Sequence, residues 1–265
     1  MIIVAAGDSF IYGSELQSQK NTFAALLSDQ YHYECIAWPG IGNDGIARRT
    51  IDAVEKHLGK ELFVFVCWTF PGRYEFKFTY DTGQITRDWY SITPWTIEDK
   101  QSVEKKFVNQ DAQILKDHHD TLNRAKLSGI YTFASLFFKH VGAGEYWEVY
   151  STLKEIVYLQ NYLKTNGVRY LFTCADNNFL HSVTVKNSSE TIQSLYRQII
   201  QDQESWFWFP AGINPNETQT PRGFYQWALE NKYPIGTTHP LEQAHIDAAD
   251  LLKEKFNDMV KKHLE

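Results

Sequence analysis

Ile2-Ile3-Val4-Ala5-Ala6-Gly7-Asp8-Ser9-Phe10 opens the chain and decides how the rest is read. Five apolar residues in a row, rich in β-branched side chains, make a short strand buried on both faces. Gly-Asp-Ser then places a hydroxyl on the loop that leaves the strand's carboxyl end. In open α/β sheets that edge is where ligands bind. A serine there can act as a nucleophile once a base reaches it, and it can equally be the cap of a following helix.

Further apolar runs at 33–38, 61–68 and 168–175, with a weaker one at 205–209, predict four more strands. Helical patterns fall between them at about 21–30, 44–58, 146–166, 190–203, 221–231 and 241–263. Alternating strands and helices imply a parallel sheet covered on both faces. Asn166-Gly167 is a helix stop, and Pro39, Pro71, Pro94, Pro210 and Pro240 all fall at element boundaries.

The stretch 70–145 breaks the alternation. It is polar and aromatic, with Phe76 to Tyr80 alternating like a strand, a turn at Asp81 to Gln84, and a helical pattern from about 98 to 127. It reads as an insertion that emerges at the sheet edge beside Ser9, where long insertions form lids or substrate walls. The segment 206–225, with Trp206 and Trp208, is a second candidate wall.

A base is supplied near the other end, in Thr237-Thr238-His239-Pro240. Histidine suits general-base work at neutral pH. His245, six residues on, falls on the last helix and is expected to face core or solvent. A third block, Pro39-Gly40-Ile41-Gly42-Asn43-Asp44, follows the second strand.

With these three blocks in this order the chain resembles the SGNH (GDSL-type) hydrolases, most closely their divergent tailed-phage members. The resemblance spans nearly the whole chain as scattered blocks. It implies a flavodoxin-like three-layer α/β/α fold, a mainly parallel five-stranded sheet and one domain over 1–265, with residues 70–145 as an inserted cap. It also implies a serine esterase acting on a small acyl ester such as an O-acetylated carbohydrate. Ser9 would be nucleophile and His239 base, and the backbone N–H groups of Ser9 and Gly42 would hold the oxyanion. Asn43 is either a further oxyanion donor or a helix cap.

Two positions depart from the family pattern. The Gly-x-Asn-Asp block is absent after the third strand, where Trp68-Thr69-Phe70-Pro71 stands. The carboxylate expected two or three residues before the histidine is replaced by Gly236 and Thr237. The site is therefore a Ser-His dyad, or a carboxylate arrives from elsewhere. Asp176, just past the fourth strand, is the first remote candidate and Glu75 the second. Asp8 and Gly40 are expected to support the turns. Arg73 and Glu75 are expected to pair with each other, or Arg73 to hold an acidic substrate group. The alternative for the whole chain is a binding or structural module that kept the fold and lost the chemistry.

Composition narrows the classes. The 265 residues carry a net charge of −6, against a general nucleic-acid binder, which needs a basic face. The residues Cys35, Cys67 and Cys174 lie in strand-like runs without Cys-x-x-Cys spacing, which predicts buried thiols and no metal site. Neither a signal peptide nor a membrane-spanning stretch is evident, and the expected location is cytoplasmic. No cofactor or metal is implied.

Overall fold

The computed structural model describes residues 1–78, 89–98, 116, 120, 129–181, 189–211 and 221–261. The apolar runs become a four-stranded parallel sheet: β1 (Ile2–Ala6), β2 (His32–Cys35), β3 (Leu62–Trp68) and, after the insertion, β6 (Arg169–Cys174). Their order is β2-β1-β3-β6. Central β1 and β3 pair in register, Ile2 with Leu62 through Ala6 with Val66, and all seven residues of β3 are buried. That double burial is why both read as continuous apolar runs.

The expected fifth strand does not form. Residues 205–209 contribute a single parallel bridge, Trp206 to Phe172. Phe209 then turns to an antiparallel bridge with Arg222, and Pro210 has no N–H with which to continue a ladder.

Helices cover both faces. On one side α3 (Asn43–His57), α5 (Glu145–Thr165) and α7 (Glu190–Ile200) pack on Val4, Val64, Val66 and Phe172. On the other side α1 (Ser9–Tyr12), α2 (Phe23–Leu27), α8 (Phe224–Glu230) and α9 (Glu242–Lys261) pack on Ile3, Ala5, Phe63 and Phe65. The alternation of side chains along β1 and β3 divides the core into these two layers. The short α6 (Asn178–His181) follows β6.

The insertion carries a small core of its own. An antiparallel pair, β4 (Tyr74–Lys77) with β5 (Trp89–Ile92), packs with α4 (Ile130–Phe137) around Tyr74, Ile92, Ile130, Ala134 and Phe138. The expected turn at 81–84 and nearly all of the helix at 98–127 lie outside the described residues. Asp44 in the first turn of α3 anchors this unit, its Oδ2 accepting from the Glu75 N–H at 2.7 Å. Cys67 and Cys174 are buried free thiols, whereas Cys35 is exposed, because β2 is the short edge strand. No described helix is long and apolar enough to cross a membrane.

The chain runs outward from β1 to β2 and then returns across β1 to β3. The crevice outside the carboxyl ends of β1 and β3 is therefore the topological switch point. Ser9 leaves β1 into it and Thr69 to Arg73 leave β3 into it.

Candidate active site

The turn after β1 is built by packing. A Cβ on Gly7 would lie 2.6 Å from Ile11 Cγ1 and 3.0 Å from the Cys67 carbonyl, so only glycine fits there. Asp8 caps α1, accepting from the Phe10 N–H at 3.1 Å. Its other oxygen accepts from Thr69 Oγ1 at 2.5 Å and from Arg73 Nη1 at 3.0 Å. The carboxylate is fully buried and held by the loop after β3, which fixes the direction in which Ser9 projects.

Ser9 Oγ lies 2.7 Å from His239 Nε2, across 230 residues of sequence. His239 Nδ1 lies 2.7 Å from Glu15 Oε1. A carboxylate at Nδ1 selects the tautomer with its proton there, leaving Nε2 free to accept the serine proton. Glu15 also accepts from the Thr237 N–H at 2.5 Å, from the Thr238 N–H at 3.2 Å and from Thr238 Oγ1 at 3.1 Å. Partial burial pushes its carboxyl up. The hydrogen bond and charge of His239 and the two backbone N–H groups outweigh this and hold it below the ordinary glutamate value.

Local geometry brings Glu15 there. Gly13 closes α1 in the left-handed region at φ 83°, and Glu15 itself sits at φ 67°, rare for a residue with a side chain. A Cβ at Gly236 would lie 2.2 Å from Glu15 Oε2. That glycine, at a position where the family pattern sought a carboxylate, makes room for one arriving from elsewhere.

Neither remote carboxylate proposed from sequence is beside the histidine. Asp176 accepts from the Asn178 N–H at 2.7 Å and opens α6. Glu75 grips Arg48 through both oxygens, at 2.7 and 3.0 Å. The expected Arg73–Glu75 pair is likewise absent: Arg73 pairs with Asp8 and Glu75 with Arg48. The reason is that Glu75 lies within β4 beside Arg48 of α3, whereas Arg73 belongs to the turn before the strand, where the left-handed Gly72 leaves its side chain over the crevice beside Asp8.

Asn43 is a clamp. Its Nδ2 donates to the Thr69 carbonyl and to Thr152 Oγ1, both at 3.2 Å, while its Oδ1 accepts from the Thr69 N–H at 2.9 Å. Both amide hydrogens are spent, so no donor is left for an oxyanion. The backbone N–H groups of Ser9 and Gly42 have no acceptor among the described residues. Gly42 packs so tightly that a Cβ would lie 2.5 Å from the Arg73 carbonyl. His245 faces the core, where its Nδ1 accepts from the Phe23 N–H at 3.2 Å. Burial pulls its pKa down to about 3.

Ser9, Glu15 and His239 line one cleft of about 720 Å³. Its walls include Gly40, Phe70, Arg73, Trp95 and Tyr225. Trp95, from the insertion, is half exposed. Sequence reading missed Glu15, which no motif marks.

A three-layer α/β/α protein with a serine, histidine and carboxylate in hydrogen-bonded series at its switch point defines the class of this chain. No protein-family model matches it, and no curated protein matches it in sequence. Among solved structures it is similar to the psychrotrophic esterase EstA from a Pseudoalteromonas species, at 13% identity over 99% of this chain and 98% of that one, TM-score 0.43. It is also similar to a carbohydrate esterase family 2 enzyme with a carbohydrate-binding domain from Myceliophthora fergusii, at 9% identity over 98% and 66%, TM-score 0.42. A third likeness is to a two-domain esterase active on acetylated mannans, at 13% identity over 100% and 50%, TM-score 0.39. All three are named as esterases. The phage likeness finds no support among them.

Proposed function

We propose that this protein is a serine esterase that removes a small acyl group, acetyl first among them, from a carbohydrate ester, with Ser9, His239 and Glu15 as its catalytic triad. The observation that carries the reading is the unbroken series Ser9 Oγ to His239 Nε2 to Glu15, each step 2.7 Å, inside an open cleft. An idle fold has no cause to hold three such groups in relay, which weighs against the non-catalytic alternative.

Ser9 attacks the ester carbonyl while His239 takes its proton, and Glu15 stabilises the imidazolium that forms. The backbone N–H groups of Ser9 and Gly42 receive the charge that develops on the carbonyl oxygen, a contribution of roughly 3–4 kcal/mol for one well-placed donor. His239 then protonates the leaving alcohol. A water molecule repeats the sequence on the acyl-enzyme, and the acid is released. Residues 70–145 act as a cap whose Trp95, with Phe70 and Tyr225, gives the cleft aromatic faces on which a sugar ring can stack.

The test is hydrolysis of p-nitrophenyl acetate by wild type, Ser9→Ala and His239→Ala, followed by acetate release from acetylated oligosaccharides. Turnover that collapses in both variants is expected. Equal background rates in all three proteins would return the chain to the non-catalytic reading.

A further inference from the structure

Among the described residues, the cleft wall holds one cation that the triad does not use. Arg73 follows a left-handed turn at Gly72, φ 79°, which folds the chain back after Pro71. Its backbone carbonyl packs against Gly42, and its side chain reaches Asp8, the residue before the nucleophile. The residue thus runs from one backbone donor of the oxyanion site to the other. The guanidinium is nine-tenths buried, set over the rings of Phe70 at 5.0 Å and Trp95 at 5.5 Å. Nη1 is committed to Asp8 and to Thr69 Oγ1, both at 3.0 Å. Nε and Nη2 have no partner among the described residues, and the side chain forms part of the cleft wall.

Building on the esterase reading, we propose that Arg73 is a catalytic residue, the side-chain donor of the oxyanion site, offering its unpaired N–H groups to the carbonyl oxygen as Ser9 attacks. The serine oxygen bonds to the carbonyl carbon, the π pair moves to oxygen, and the serine proton goes to His239. Arg73 donates hydrogen bonds throughout and transfers no proton. When the oxyanion collapses the C=O bond re-forms and the bond to the leaving alcohol breaks.

A permanent substrate anion is the weaker use of this cation. Asp8 already balances its charge, and the carboxylates of Glu15 and Glu98 line the same cleft. What suits a balanced guanidinium with free N–H groups is a charge that exists only in the transition state. Asp8 and Thr69 hold it in place beforehand, so little reorganisation accompanies the reaction.

The experiment has two arms. Arg73→Lys keeps a cation for Asp8 but removes the fork of donors, and Asp8→Asn/Arg73→Met removes both charges together. For each, kcat and KM on p-nitrophenyl acetate and the rate of Ser9 labelling by an alkyl phosphonate ester are measured beside a thermal melt. The expected result is a kcat lower by roughly 10²–10³-fold with KM little changed, and labelling slowed in parallel. The second arm needs no variant: a crystal structure of the wild type phosphonylated at Ser9, with an Arg73 nitrogen within about 3.2 Å of the phosphonyl oxygen. An adduct whose oxygen is held by backbone alone, or folded variants with wild-type kcat, overturns the inference and leaves the esterase standing. A raised KM at unchanged kcat also overturns it, making Arg73 a substrate-binding group. A wild type that neither turns over nor labels removes the esterase reading and the inference with it.

Discussion

Replacing Glu15 by Gln changes one atom and tests the relay directly. The carboxylate accepts four donors: the Thr237 and Thr238 N–H groups, Thr238 Oγ1 and His239 Nδ1. A glutamine has one oxygen with which to accept and an NH₂ that donates. If its oxygen stays with the threonine N–H groups, its NH₂ meets Nδ1 and drives the imidazole proton to Nε2, facing Ser9. If the oxygen turns to Nδ1, the NH₂ opposes the Thr237 N–H.

The first choice holds the base in the wrong tautomer and the second sets donor against donor, each at about 1–3 kcal/mol in a partly buried site. The imidazolium also loses its counter-charge. At an effective dielectric near 20 and about 4 Å between charge centres this is worth about 4 kcal/mol. The Glu15 side chain is 24% exposed, so about half of that is retained. Together the losses come to roughly 4 kcal/mol, or a 10³-fold fall in kcat. The assay is p-nitrophenyl acetate turnover beside a thermal melt, with Ser9→Ala as the floor. A folded Glu15→Gln protein within about fivefold of wild type, with Ser9→Ala inactive, would refute the relay and leave a Ser-His dyad.

Three other outcomes are expected. Asn43→Ala removes three buried hydrogen bonds, two to Thr69 and one to Thr152, and stability falls by about 2–3 kcal/mol in a urea titration, with activity reduced because Thr69 positions Asp8. Gly42→Ala drives a methyl to 2.5 Å from the Arg73 carbonyl, so the loop after β2 must shift; a folded protein with a large loss of kcat is expected if its N–H holds the oxyanion, and undiminished turnover would show that this loop is not used. His245 titrates near 3 folded, below its unfolded value of about 6.5, so the unfolded chain binds the extra proton and acid favours unfolding. Its share of stability is complete above about pH 6.5 and is lost toward pH 3, at up to about 1.4 kcal/mol per pH unit. Melting temperature followed from pH 7 to 4 in wild type and His245→Gln checks this, the variant showing the shallower slope. Glu15, shifted down, acts in the same sense: its contribution is present above the ordinary glutamate value and is lost as pH falls through its folded value.

The architecture was legible in the sequence because its causes are local. Strands buried on both faces must be apolar throughout, so Ile2–Ala6, Leu62–Trp68 and Arg169–Cys174 announced themselves, and the helices between them fixed a parallel sheet. Ser9 and His239 were legible as candidates at strand and helix ends, and the fold brings them within 2.7 Å. What the sequence left open is what depends on approach between distant segments. The Trp206 run looks like a strand, yet only its surroundings decide that it makes one bridge. Asn43 and Arg73 carry donors in plain view, but whether a donor is spent or free depends on neighbours such as Thr152, over a hundred residues away. Glu15 shows the limit most clearly. It sits in a loop with no periodicity to mark it, and its four partners lie more than 220 residues along the chain. A carboxylate becomes part of a relay through a 2.7 Å contact, and a contact of that kind is a property of the packed molecule.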